Sequence, residues 1–209
     1  MDLTSSSFVD GMAIPGEYAF CIPDPDSHVT FAPNRNPHLS WESVPRAVQS
    51  FALICHDSDV PTRPDDVNQE GREVPSDLAR TDFFHWVVAD IPADMRSIAV
   101  GSFADGVVPH GRAPDATPFP CRLGLNDYTG WFAGDTAMEG RYFGYDGPCP
   151  PWNDSLLHHY TFSVFALDVD SLDLPDVFTG ADLRAAIAGH VIDRGTIGGT
   201  YTLNPRLMP

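Results

Sequence analysis

A few acid–base and hydrogen-bonding side chains sit in or beside runs that read as β-strands. In Leu157-His158-His159-Tyr160-Thr161-Phe162, side chains two apart share a face, so His158 and Tyr160 point together along a row that continues into Phe162 and Val164. In Phe83-Phe84-His85-Trp86-Val87 the same rule puts His85 on the face of Phe83 and Val87, at least half buried. His56-Asp57-Ser58-Asp59-Val60-Pro61 follows directly on an apolar run ending at Cys55, and an extended chain there projects Asp57 and Asp59 together from a strand end. Carboxylates in that position need donors, and by type the nearest are His85, His158 and Tyr160. A carboxylate beside an imidazole favours the protonated ring, against the desolvation that opposes charge, and imidazolium and phenol groups donate hydrogen bonds to small anions. Taken singly, each feature has a plain structural explanation. A strand histidine is commonly a satisfied core residue, Asp after a strand is a turn former, and Gly147-Pro148-Cys149-Pro150-Pro151 is a rigid loop.

The elements that must position these groups are short, apolar and rich in aromatic and β-branched residues. Phe51–Cys55, Phe83–Ile91 and Tyr160–Leu167 are bounded by Pro, Gly, Asp and Asn. Several such strands with long irregular connections predict an antiparallel β-sandwich. From Thr179 to Val191, Leu183, Ala186, Ile187, His190 and Val191 recur at helical spacing after a Thr179/Gly180 start, predicting a short amphipathic helix with Asp182 suited to its N-terminal dipole. Thr62–Thr81 is too charged and Pro-containing to be core, and Gly101–Gly147 shows no sustained periodicity; both read as exposed loops.

With 20 Pro and 17 Gly among 209 residues a helical bundle is disfavoured, while 43% hydrophobic residues give enough apolar surface to order one domain. The formal charge of −17, without a single Lys, repels nucleic acid and anionic bilayers. The N-terminus lacks a basic, then apolar, leader and no apolar stretch approaches about 18 residues, so no stable membrane insertion and a cytoplasmic location are expected. Cys21, Cys55, Cys121 and Cys149 form no C-x-x-C pair, against a zinc knuckle or thioredoxin-type site, and Cys55 reads as a small core residue.

In order along the chain stand Asn36-Pro37-His38-Leu39-Ser40-Trp41, Cys55-His56-Asp57-Ser58-Asp59-Val60-Pro61, His85-Trp86-Val87-Val88, Gly144-Tyr145-Asp146-Gly147-Pro148-Cys149-Pro150-Pro151, His158-His159-Tyr160-Thr161-Phe162, and Gly189-His190-Val191 with Gly199-Thr200-Tyr201. Their succession, over roughly residues 10–203, resembles the phosphatidylethanolamine-binding protein family, most closely its bacterial, Raf-kinase-inhibitor-like branch. The resemblance implies a single all-β domain over 1–209, a Greek-key antiparallel β-sandwich with a short C-terminal helix and a small anion pocket at one end. Carried over motif by motif, that pocket is lined by Asp57, Asp59, His85, Gly147, Pro148, His158 and Tyr160. Ser58 and Val60 depart from the D-P-D-A-P pattern, and segments about 62–81 and 103–143 look like insertions, so ligand size does not carry over.

The expected role is non-catalytic binding of a small anion such as phosphate or phosphoethanolamine, without a cofactor. Asp57 would orient or charge a histidine, while His85, His158 and Tyr160 donate to the ligand. One alternative is an interaction or inhibitor module acting on a kinase or protease through the 62–81 loop; the resemblance also allows a homodimer. A metal-dependent hydrolase built on His85, His158, Asp57 and Asp59 is less favoured, because no H-E-x-x-H, G-x-S-x-G or phosphate-cradling Gly-Lys loop is present.

Overall fold

The structure, a computed structural model, describes residues 1–208. Its largest sheet joins β5 (Ser50–Pro61), β6 (Arg80–Pro92), β8 (Arg122–Leu123), β9 (His158–Leu167) and β10 (Val191–Tyr201) in the order β10-β9-β5-β6-β8, with every pairing antiparallel. Within it, β5, β6 and β8 lie side by side and β9 returns to the far edge of β5, the spatial order of a Greek key. A second sheet of β1 (Asp2–Thr4), β4 (Leu39–Glu42) and β7 (Ser97–Ile98) covers one face, and β2 (Cys21–Asp24) pairs with β3 (His28–Phe31) as a separate hairpin.

Alternation decides what each face buries. Leu53, Cys55, Phe162 and Val164 join Leu3, Leu39, Trp41 and Ile98 in the larger core between the sheets. Ala52, Ile54, Val87 and Ala89 face the other way, where Leu183 of helix α2 (Gly180–Ala186) and its C-cap residue Ile187 cover them with Phe178. This helix starts where expected: Thr179 and Asp182 form a reciprocal capping box. It stops earlier than the apolar spacing predicts. Gly189 takes a left-handed φ of 89°, His190 is only half-buried and Val191 exposed, and Val191 already begins β10. Gly180 is required for another reason, since a Cβ there would lie 2.2 Å from the Phe84 ring.

The 101–147 stretch is not structureless, for it carries β8 and a helical turn, α1 (Tyr128–Trp131). A further link absent from the sequence reading is a disulfide between Cys21 of β2 and Cys149, across 128 residues of chain. Among the described residues no helix is long and apolar enough to cross a membrane.

Candidate functional site

A cavity of about 560 Å³ opens beside the end of the large sheet. Its walls are mostly apolar, with an aromatic cluster on one side: Phe20 stacks on Tyr128 at 4.5 Å, Tyr128 stacks on Phe132 at 5.6 Å, and Phe83 meets Tyr128 edge-on at 5.2 Å. Asp57, His85 and His158 supply its charged and ionisable groups, from three different strands. The disulfide partners Cys21 and Cys149 both line it, and Pro64, Val67 and Asn68 of the 62–81 loop contribute to one side.

Irregular pairing places His85. Along β6, Cys55 pairs with Trp86 and His56 with Phe84, so His85 is the extra residue of a β-bulge. His85 and Trp86 therefore both turn toward the larger core, while Phe84 and Val87 pack beneath α2. This corrects the expectation that His85 shares a face with Val87: strand parity holds from Phe83 to His85 and fails one residue later. On β9 the alternation is regular, and His158, Tyr160 and Phe162 do share a face.

The two cavity histidines are held differently. His85 Nδ1 lies 2.7 Å from the main-chain carbonyl oxygen of Asp146. A carbonyl oxygen only accepts, so Nδ1 carries the hydrogen and, in the neutral ring, Nε2 carries a lone pair. Burial lowers its pKa to about 4, outweighing the charge of Asp57 and the carbonyls of Asp146 and Gly147, and keeps the ring neutral at neutral pH. His158 donates from Nδ1 to Asp57 Oδ2 at 2.7 Å and from Nε2 to Asp154 Oδ2 at 3.1 Å. Burial opposes its charge, but the hydrogen bonds to Asp154 and Asp57 win and raise its pKa to about 9. Arg80 completes the row by donating from Nη1 to Asp154 Oδ2 at 2.6 Å and from Nη2 to Oδ1 at 3.1 Å. Burial would raise the Asp57 and Asp154 carboxyls, yet His158 holds both below the ordinary carboxylate range, with Arg80 adding to the effect at Asp154.

Tyr160, expected to line the cavity, is not among its lining residues: it is buried behind His85, with ring centroids 5.2 Å apart and its hydroxyl without a hydrogen-bond partner among the described residues. Burial and the charge of Asp57 raise its pKa well above the phenol range, so it stays a hydroxyl.

The other sequence-derived positions lie elsewhere. Asp59 does not point with Asp57. A second register shift between Asp57 and Val60 turns it outward, where its Oδ2 accepts from the main-chain N–H and Nδ1 of His159. Gly147 and Pro148 act through their backbones rather than as lining. Gly147 donates its N–H to Asn34 Oδ1 and packs so closely that a Cβ would sit 2.1 Å from the Tyr18 carbonyl oxygen; the Pro148 carbonyl accepts from the N–H groups of Phe20 and Cys21. From this motif the lining residues are Cys149, Pro150 and Pro151. His158 has no donor left for a ligand, since both ring nitrogens are engaged by carboxylates. With Asp59 turned away, the four-residue set considered for a metal does not assemble; among the described residues no three His, Cys, Asp or Glu side chains are arranged to hold one. Sequence reasoning missed Asp154, Arg80 and Tyr128. Asp154 precedes His158 by four residues outside any strand, where no periodicity marks it.

Residues 4–202 match the family model described as phosphatidylethanolamine-binding protein. The chain belongs to the phosphatidylethanolamine-binding protein family. It is 30% identical over 201 residues to a UPF0098 protein of Aquifex aeolicus, covering 96% of this chain and 88% of that one, and 28% identical over 204 residues to the UPF0098 protein YbhB of Escherichia coli, covering 97% and 100%. Among solved structures it is similar to E. coli YbcL, described as a new member of the mammalian PEBP family, with a TM-score of 0.66 at 25% identity over 96% of this chain and 97% of that one. A phosphatidylethanolamine-binding protein homologue from Chlamydia trachomatis, CT736, gives a TM-score of 0.61 at 27% identity, with 96% and 95% covered. Family membership thus rests on nearly the whole chain, including all the strands that carry Asp57, His85 and His158.

Proposed function

We propose that the protein is a non-catalytic binding protein whose cavity holds a small phosphate-type anion or phosphorylated head-group, with one proton taken up as the ligand enters. The observation that carries this reading is the placement, at one end of a largely apolar cavity, of a neutral histidine with a lone pair to offer beside the Asp57 carboxylate, with the unpartnered Tyr160 hydroxyl buried directly behind that histidine. A buried hydroxyl left unpaired costs on the order of 1–3 kcal/mol, which a ligand oxygen would recover. The roles differ from those expected of the sequence. His158 is a fixed charge that orients Asp57, Tyr160 is the donor, and His85 and Asp57 are acceptors. A fully ionised phosphate would meet acceptors there and be repelled, so the favoured form brings a hydrogen of its own or protonates His85.

The apolar walls support a ligand that continues beyond its head-group, because phosphate alone fills little of about 560 Å³. Calorimetric titration with phosphate and with phosphoethanolamine in two buffers of different ionisation enthalpy tests the reading. Affinity should fall as pH rises, with net proton uptake on binding, and Tyr160→Phe should weaken it about tenfold, the scale of a hydrogen bond to a charged group. Binding that is indifferent to pH and to Tyr160→Phe would refute it.

A further inference from the structure

The Asp146 carbonyl that fixes the His85 ring belongs to a residue held from several sides. Asp146 is fully buried, and its carboxylate accepts from Asn34 Nδ2 at 2.8 Å, Asn126 Nδ2 at 2.9 Å and Arg112 Nη1 at 3.0 Å. Arg112 Nη1 also donates to the Tyr145 carbonyl at 2.9 Å, and its Nη2 donates to the Gly106 carbonyl. The main chain closes the arrangement, since the Asp146 N–H donates to the His85 carbonyl at 3.1 Å while His85 Nδ1 donates back to the Asp146 carbonyl. Arg112 comes from the 103–143 segment and sends its guanidinium inward, with its side chain only 11% exposed. A buried arginine with forked donors on one carboxylate and two carbonyls is suited to fixing orientation, because moving the peptide would break several charge-assisted bonds together.

We propose that Arg112 and Asp146 are a positioning pair that holds His85 as its Nδ1–H tautomer, so that the cavity presents an acceptor and selects the hydrogen-bearing form of the ligand head-group. This rests on the ligand-binding role proposed above. The groups that face His85 are Asp57 from β5, His158 and Tyr160 from β9, Tyr128 from α1 and the Asp146 peptide itself. The Gly147 carbonyl also lies near the ring, but Nδ1 makes its hydrogen bond to the Asp146 carbonyl, so that peptide decides the tautomer while Asp57 and His158 act through their charges. With the ring locked, a head-group oxygen approaching Nε2 needs a hydrogen between the two atoms. With the ring unlocked, an Nε2–H tautomer becomes available and a fully ionised oxygen is accepted equally well.

The test uses the full chain, the double variant Arg112→Met/Asp146→Asn, which removes both buried charges together, and methyl phosphate as the probe. Long-range proton–nitrogen spectra of the ligand-free protein at neutral pH report which ring nitrogen of His85 carries hydrogen. Wild type should show Nδ1–H alone and the variant a mixture. Methyl phosphate affinity should be about tenfold higher in acid than in alkali around its second ionisation near about 6 in wild type, and this ratio should shrink to about twofold in the variant. An Nε2–H or a doubly protonated His85 in wild type at neutral pH would overturn the inference, and that measurement decides even where the double variant does not fold. A folded variant with unaltered tautomer and unaltered pH ratio would overturn it as well. Absence of methyl phosphate binding at either pH, with the tautomer still shifting, would instead remove the ligand reading and its selectivity while leaving the positioning role of Arg112 in place.

Discussion

His85 and His158 are both buried, both line the same cavity and both feel the charge of Asp57, yet they are held in opposite protonation states. Burial opposes charge in both. The difference lies in the partners: uncharged main-chain carbonyls at His85, two carboxylates at His158. A carbonyl dipole does not repay the desolvation of an imidazolium, whereas two ionised carboxylates in hydrogen-bond contact do. One histidine is thereby a neutral acceptor and the other a fixed cation with no free donor.

The largest expected effect comes from breaking the His158 side. Asp154→Ala leaves Arg80 and His158 partly uncompensated in a buried setting and should destabilise the fold by about 3–5 kcal/mol in urea unfolding, with the His158 pKa falling in a histidine NMR titration. Next comes the pH profile of stability, where the two rings act with opposite sign. The folded pKa of His158 is raised from 6.5 to about 9, so its contribution is complete below about pH 6.5 and is lost as pH rises through 9. The folded pKa of His85 is lowered from 6.5 to about 4, so the unfolded chain binds the extra proton and stability is lost as pH falls from about 6.5 toward 4. Each limb is worth on the order of 3 kcal/mol. Thermal unfolding across this range should give a maximum between the limbs. His85→Gln should flatten the acid limb and His158→Gln the alkaline one; a profile in which either substitution flattens the wrong limb breaks the comparison.

A smaller effect sharpens it from the ligand side. Tyr160→Phe removes a buried hydroxyl that makes no hydrogen bond in the free protein, so the fold should gain about 1–3 kcal/mol while both limbs persist. The smallest belongs to the exposed counterpart of the buried pair. His159 meets Asp59 at 2.9 Å with its side chain 62% exposed, and His159→Ala should shift stability by no more than about 0.5 kcal/mol and leave the profile intact. A large change there would mean that proximity to a carboxylate, rather than burial with it, distinguishes these histidines.

Much of this site is legible in the sequence because strand alternation is a strict rule while it lasts. The strands Phe51–Cys55, Phe83–Ile91 and Tyr160–Leu167 lie within β5, β6 and β9, and the shared face of His158 and Tyr160 follows from a regular β9. The rule fails wherever pairing slips by one residue. The bulge at His85 separates it from Val87, and the shift after Asp57 sends Asp59 outward, and neither slip has a sequence marker as plain as a glycine or proline. The strand β10 went unread because Gly195, Gly198 and Gly199 lower its apparent β-propensity; Gly195 and Gly199 are small because Leu3 and Ile14 pack directly on their backbones. Asp154, Arg80, Arg112 and the Cys21–Cys149 bond depend on long-range closure, for which a single sequence offers no periodicity.

The row Asp57, His158, Asp154, Arg80 alternates in sign and sums to zero, so the cavity projects almost no field of its own against a chain carrying −17. A doubly charged ligand is thus slowed on its way in rather than steered, and its bimolecular arrival should quicken as ionic strength rises, the reverse of what a positively lined mouth produces. On the binding role proposed here, recognition would be decided after contact, within a few ångströms, and would owe little to attraction at a distance.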